Sequence, residues 1–94
     1  MVAFSTTAKF SLGKVVATPN AIAAIPQDKI ISALQRHQSG DWGTVCPEDR
    51  RANDDALVEG SRILSVYFVP RGLKFWIITE ADRSVTTILL PEDY

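Results

Sequence analysis

Three stretches in the last third of the chain are rich in β-branched and aromatic residues, which is typical of β-strands: residues 63–69, 73–80 and 85–90. The linkers between them are the short segments Pro70-Arg71-Gly72 and 81–84, and both contain turn-forming residues. Two short connections between consecutive strands predict an antiparallel meander of three strands.

A further strand is predicted near the start of the chain, over residues 10–17. Its pattern favours an inward orientation for Phe10, for Leu12 and for one of the pair Val15-Val16. Gly13 interrupts the run, as a glycine in a β-bulge does. We expect this strand to join the edge of the sheet.

Three helices are predicted between the first strand and the meander. Thr18-Pro19 is a typical N-cap and first helical residue, which predicts a short helix over 19–25. The next helix begins near Pro26, because apolar residues then recur at helical spacing, and it ends before Gly40. The third begins at Pro47 and stops at Gly60.

The element order is therefore β-α-α-α-β-β-β, which predicts an α+β fold with helices on one face of the sheet, a two-layer sandwich. A chain of 94 residues is the length of one domain, so we assign residues 1–94 to a single α+β domain. Residues 1–8 are expected to be a frayed start.

The meander carries large apolar side chains on both of its faces. In the middle strand Phe75 and Ile77 share one face, whereas Trp76 and Ile78 share the other. Helices can cover only one face. The second face is then covered by the N-terminal segment, by a second copy of the chain or by a partner protein.

Composition excludes several classes of function. Ten Lys and Arg residues face eleven Asp and Glu, a net charge of −1, so we expect no autonomous binding of duplex DNA. The apolar runs are too short to span a bilayer, and the first residues lack the pattern of a secretory signal, so no membrane association is expected. A single cysteine, Cys46, interpreted as a packing thiol, fits a reducing cytoplasm.

The segment 36–43 gathers the side chains best suited to chemistry: Arg36, His37, Asp41 and Trp42. His37 falls on the apolar face of its helix, so a half-buried histidine bonded to a carbonyl or carboxylate is the favoured interpretation. The alternative is a general acid or base, since histidine titrates near neutrality. For Trp42 we favour a loop anchor that packs on the sheet over a stacking surface, and Asp41 is suited to cap its own turn.

The turn before the last strand is the densest polar cluster. The favoured interpretation is an ordinary hairpin tip with an internal Asp82–Arg83 pair, and the alternative is an Arg83 that binds a carboxylate or phosphate. A lone histidine with a lone cysteine excludes a standard zinc site, and none of the common nucleotide-binding or hydrolase motifs is present. The sequence therefore predicts no metal, no cofactor and no catalytic residue.

The chain resembles a family of small bacterial proteins whose members are described as hypothetical, plasmid-related or phage-related. The resemblance covers residues 9–94 and is carried by Val16-Ala17-Thr18-Pro19, the segment 36–43 (RHQSGDWG), Asn53-Asp54, the segment 62–67 (RILSVY) and the long segment 76–91 (WIITEADRSVTTILLP). It implies a role on mobile elements, where small single-domain proteins act as regulators, toxins, antitoxins or inhibitors of host defence such as anti-CRISPR proteins.

Three hypotheses of function follow. The first is a non-enzymatic protein that binds a larger protein complex, with Arg36, His37, Asp41, Trp42, Tyr67, Trp76, Asp82 and Arg83 as candidate binding residues, several of them types common in binding hot spots. The second is a small RNase-like toxin or hydrolase that uses His37, Arg36 and Asp41. The third is a structural homodimer joined through the second sheet face.

Overall fold

A four-stranded sheet forms the frame of the protein, and three helices pack on one of its faces. The computed structural model describes residues 8–94, so residues 1–7 of the predicted frayed start 1–8 lie outside the described residues. The elements are β1 (Lys14–Ala17), α1 (Pro19–Ala24), α2 (Gln27–Gln38), α3 (Pro47–Glu59), β2 (Ile63–Phe68), β3 (Lys74–Thr79), β4 (Val85–Leu89) and a final 3₁₀ turn (Pro91–Asp93). The predicted α+β fold and element order are confirmed.

The strands lie in the order β1-β4-β3-β2. Strands β2, β3 and β4 form the predicted antiparallel meander, and β1 pairs parallel to β4 at the sheet edge. The parallel pairing follows from the three helices, which form the long crossover that returns the chain to the same direction. The two edges of the sheet are therefore β1 and β2.

The first strand is shorter than the predicted 10–17. Phe10 packs inward against His37 and Trp42 as predicted, and Leu12 is half-buried, but neither valine of the predicted pair is buried. Residues before Gly13 follow the end of α2 instead, where the amide of Lys9 donates to the carbonyl of Gln38 at 2.8 Å. Val15 and Val16 are 43% and 36% exposed, because β1 is an edge strand and the helical layer reaches only as far as Ala17.

Helix ends follow the local sequence. The Thr18 hydroxyl accepts from the Ala21 amide at 3.1 Å and caps α1. Gly60 adopts φ 77° and ends α3 as predicted. Cys46 is exposed rather than packed, and its Sγ accepts from the Asp49 amide at the start of α3.

The core lies between the helices and one face of the sheet. Its centre combines Ala21 and Ile25 of α1 and Ala33 of α2 with a strand set that includes Tyr67, Phe75, Ile77 and Ile88. A smaller cluster, Trp42, Ala56 and Ile63, joins α3 and the loop after α2 to strand β2. All these strand residues point to the same face, which we call the helix-covered face; the opposite one we call the open face.

Strand β2 is an edge strand whose outward backbone groups are largely satisfied within the chain. The side-chain amide of Asn53 donates to the Leu64 carbonyl at 2.7 Å and accepts from the Leu64 amide at 3.1 Å. At Val66 the backbone of residues 42–44 supplies both partners, at 3.1 and 2.7 Å. Segments from α3 and from the loop after α2 thus act as a discontinuous fifth strand, which protects the edge.

Gly43 makes this close approach achievable. It has φ 74°, and a Cβ there would overlap the Val66 carbonyl and lie 2.8 Å from the Tyr67 ring. Gly72 has a similar φ of 86° with no atom near its missing Cβ. A side chain at Gly72 would cause backbone strain alone, whereas one at Gly43 would cause strain and a steric clash, so substitutions at the two positions distinguish these effects.

We expect Gly43→Ala to lower the free energy of unfolding by about 3 kcal/mol, because strain and overlap add, and Gly72→Ala to lower it by about 1 kcal/mol from strain alone. Urea unfolding followed by circular dichroism measures both values. Equal losses in the two variants would contradict the close packing of the loop on β2.

Candidate functional site

His37 lies in the interior, at the centre of a chain of hydrogen bonds. Its side chain has 0% exposure. Nδ1 contacts the Ser65 hydroxyl at 2.5 Å, and Nε2 contacts the Thr79 hydroxyl at 2.9 Å. The favoured structural interpretation was correct in kind, but the histidine is fully rather than half buried, and its partners are hydroxyls rather than a carbonyl or carboxylate.

The Leu12 carbonyl, the last acceptor in this series of hydrogen bonds, determines which group donates in each bond from Nε2 onward. The Thr79 hydroxyl lies 2.7 Å from that of Thr86, which donates to the Leu12 carbonyl at 2.7 Å. A carbonyl only accepts and a hydroxyl has one proton, so Thr86 accepts from Thr79, and Thr79 accepts from Nε2–H of His37. Because burial keeps the imidazole neutral, Nδ1 carries no proton and accepts from the Ser65 hydroxyl.

The surroundings of His37 oppose protonation. Burial lowers its pKa to about 4, with a smaller contribution from the positive charge of Arg83. The rings of Phe10 and Trp42 pack edge-on against the imidazole, with centroids at 5.2 and 5.9 Å. No carboxylate contacts it among residues 8–94, so nothing there compensates an imidazolium charge.

The free energy of unfolding should fall as pH is lowered from about 6.5 to about 4. An unfolded histidine binds a proton near pH 6.5, whereas His37 in the folded state binds one only near pH 4. Between these values the unfolded state holds more protons, so acidification favours unfolding, by up to about 3 kcal/mol.

Since the chain has one histidine, the imidazole proton shifts in NMR report this group alone. We expect a midpoint near 4 in the folded protein, and urea unfolding of His37→Gln should show a flattened dependence on pH over the same range. A folded-state midpoint near 6.5 would contradict the buried neutral histidine.

The rest of the segment 36–43 holds the loop in shape. Arg36 donates through Nε and Nη2 to the two carboxylate oxygens of Asp41 at 2.8 and 3.3 Å, and this hydrogen bond holds the pKa of Asp41 below its usual range. Asp41 also accepts from the Gly43 amide, the predicted turn cap. The Tyr67 hydroxyl donates to the Asp41 carbonyl at 2.5 Å, and the Arg36 guanidinium lies over the Tyr67 ring.

Trp42 and Tyr67 are interior residues, with exposures of 4% and 2%. Trp42 is the loop anchor that the sequence favoured, and its indole N–H donates to Asp54 at 3.0 Å. Burial raises the pKa of Tyr67 to about 12. Neither ring offers a surface to a partner in this conformation.

Arg83 binds backbone carbonyls rather than Asp82. Its Nη1 donates to Ser61 at 2.6 Å and to the carbonyls of Glu80 and Ala81, and Nη2 donates to Ala56 at 2.9 Å. The guanidinium thus joins the end of α3 to the β3–β4 turn. The favoured interpretation, an internal Asp82–Arg83 pair, is wrong, because Asp82 accepts from the amide and hydroxyl of Ser84 instead.

We expect Arg83→Met to lower the free energy of unfolding by about 2 kcal/mol, since hydrogen bonds to a charged donor are lost. Arg51→Met, in an exposed position of α3, should change it by roughly 0.5 kcal/mol or less. Thermal and urea unfolding give both values, and the pKa of His37 should rise in Arg83→Met. Unchanged stability in that variant would show that the guanidinium is free for a ligand.

The two polar segments meet inside the protein rather than on a concave surface. Arg83 lies over the Phe10 ring at 5.6 Å, and the same ring packs on His37 and Trp42. The contact between the segment 36–43 and the turn 80–84 therefore builds the core. Of the eight candidate residues, it is Trp76 that lies on the open face.

The open face carries an apolar surface that the helices do not cover. The cross-strand register aligns Val66 with Trp76 and Leu89, and aligns Leu64 with Ile78, Thr87 and Val16. Phe68 at the end of β2 is 51% exposed. The C-terminal turn covers part of this face, where Tyr94 packs edge-on against Trp76 at 5.7 Å and accepts from Arg62 at 2.9 Å.

Tyr94 and Arg62 were not among the predicted site residues. Arg62 also forms an ion pair with Glu80 at 3.4 Å, so a short polar cluster borders the apolar surface. The signal for the face itself was the presence of large apolar residues on both sides of β2 and β3. No signal in the sequence connected Tyr94, 18 residues further along the chain, to Trp76.

Within residues 8–94 no three His, Cys, Asp or Glu side chains come close enough together to hold a metal ion. None of the helices in that range is long and apolar enough to cross a membrane. Every buried side-chain nitrogen or oxygen of the described part has a hydrogen-bond partner, so no buried polar atom there awaits a ligand.

Comparison of the chain with protein-family models, with curated proteins and with solved structures finds no match in any of the three. The geometry of the described residues is therefore the basis for a proposal of function.

Proposed function

We propose that this protein is a non-enzymatic binding protein that acts by protein–protein contact through the open face of its sheet. The observation that carries the proposal is the apolar surface outside the helical layer, where Val16 and Phe68 are exposed and Leu64, Val66 and Trp76 are half-buried. Ile78 and Leu89 of the same face are buried. Val16 and Phe68 are 36% and 51% exposed although they belong to regular strands. Apolar surface of this kind, bordered by charged residues, is typical of protein interfaces.

The proposal also concerns the class of partner. The resemblance to plasmid-related and phage-related proteins supports a larger complex of the host as target, with inhibition of a defence complex, as by an anti-CRISPR protein, as the leading case. The lone cysteine supports action in a reducing cytoplasm.

The geometry supports binding better than catalysis by His37, Arg36 and Asp41. The imidazole has no exposed surface, and its two nitrogens are held by Ser65 and Thr79. Arg36 and Asp41 hydrogen-bond to each other. A general base must reach the proton that it removes, and His37 can do so only if the core opens.

A homodimer through the same face is the second candidate. The specific observation in its favour is that β1 and β2 place exposed apolar residues at both borders of one surface, so two copies could face each other. It predicts self-association that depends on Val16 and Val66.

Val16→Glu and Val66→Glu should each reduce capture of the partner at least about tenfold, since a charge would be buried without a counter-charge. Val58→Glu is the matched control, because Val58 is 88% exposed on α3, away from the open face. The measurement is a tagged pull-down from nuclease-treated host lysate, read by quantitative mass spectrometry, with unfolding curves to verify that each variant folds.

A stoichiometric partner that is lost in the two open-face variants and retained in Val58→Glu supports the proposal. A partner retained in all three overturns the assignment to the open face. Light scattering decides the second candidate: a dimer that Val16→Glu dissociates favours it, and a monomer at high concentration excludes it.

A further inference from the structure

A groove runs along α2 and the turn between β2 and β3, away from the open face. Two adjoining cavities, of about 440 and 470 Å³, share Lys29, Val69 and Pro70 and so form one continuous depression, the α2 groove. Its floor is apolar and includes Phe75 and Leu73. Its size suits a short stretch of extended peptide rather than a single small ion.

The charges of the α2 groove have one sign. Lys29, Arg36 and Arg71 line it, and none of its lining residues is acidic. Arg36 is engaged with Asp41, whereas Lys29 and Arg71 form no ion pair within residues 8–94. A ligand that fits must therefore combine apolar groups for the floor with negative charge for the rim.

Strand β2 offers free backbone groups at the same place. The backbone groups of Leu64 and Val66 are bonded on the side away from β3. Outward positions alternate along an antiparallel strand, so Phe68 is the next one. The partners of the first two are Asn53 and the loop 42–44, but no residue of the described chain has taken the corresponding place at Phe68. The backbone of Phe68 lines the groove, while its side chain belongs to the open face.

We propose that the α2 groove binds an extended acidic segment of a protein partner. The segment lies antiparallel or parallel to the end of β2 and exchanges backbone hydrogen bonds with the amide and carbonyl of Phe68. Pro70, the next outward position, has no amide proton, so pairing stops after one residue. Acidic side chains of the segment contact Lys29 and Arg71, and its apolar side chains pack on Val69 and Phe75.

A protein segment fits the groove better than a nucleic acid. Binding of a nucleic acid depends on many contacts between cations and phosphates. The groove offers only Lys29 and Arg71 as cations without a carboxylate partner among residues 8–94. Of the aromatic residues that line the groove, Tyr67 and Phe75 are buried and Phe68 directs its ring to the open face, so none offers a face for a base there.

Residues 1–7 are the alternative occupant within this chain. They carry no acidic side chain, so they lack the charge that the groove selects. This difference favours a segment from a partner, and removal of residues 1–7 tests it directly.

The probe is an acetylated and amidated hexapeptide of alternating Val and Glu, with the Val–Lys hexapeptide as its charge-reversed counterpart. Both are titrated into the full ¹⁵N-labelled chain. We expect saturable shifts of the Phe68 amide with Val–Glu alone. Lys29→Glu combined with Arg71→Glu should weaken the affinity at least about tenfold, whereas Lys14→Glu with Arg51→Glu, an equal change of charge outside the groove, should leave it unchanged.

Equal binding of the two peptides, retained affinity in the Lys29/Arg71 variant, or no saturable shift of the Phe68 amide at millimolar peptide would each overturn the proposal. Binding that appears only after deletion of residues 1–7 would assign the groove to the chain's own terminus. Val16→Glu should bind the Val–Glu peptide normally, so failure of the groove and failure of the open face are told apart.

Discussion

The buried imidazole of His37 is the constraint on which the packing of this protein depends. It joins α2 to β2 through Ser65 and to β3 and β4 through Thr79 and Thr86. A polar group in the interior is stable only when every donor and acceptor is satisfied, so these four side chains fix the position of α2 on the sheet. Displacement of the helix would leave several buried groups unpaired at once.

Polar groups around this centre serve the backbone in the same way. Arg83 satisfies carbonyls at the end of α3, and Asn53 satisfies the amide and carbonyl of Leu64 at the sheet edge. The side chains that suggested catalysis in the sequence therefore form hydrogen bonds that stabilise the fold. The surfaces that remain for the proposed contacts are an apolar sheet face on one side and a positively charged groove beside Phe68, whose backbone has no partner among residues 8–94.

Strand and helix assignments depended on local patterns, which is why they could be made from the sequence. The two-sided apolar character of β2 and β3 predicted an uncovered face, and Trp76 lies there. Other candidate residues could not be assigned in advance, since the role of Trp42 or Arg83 depends on contacts between residues far apart in the chain. Whether an arginine binds a backbone carbonyl or a ligand depends on the groups that surround it in the folded chain, not on its neighbours in sequence.

By itself the sequence determined the order of helices and strands, the helix caps at Thr18 and Gly60 and the antiparallel meander, because each is governed by residues within a few positions. Only the tertiary structure decided that β1 runs parallel to β4, that His37 is sealed between hydroxyls, and that residues 8–94 bond the outward backbone of β2 at Leu64 and Val66 but not at Phe68. These features arise from hydrogen bonds and packing across long stretches of chain, which no local pattern encodes.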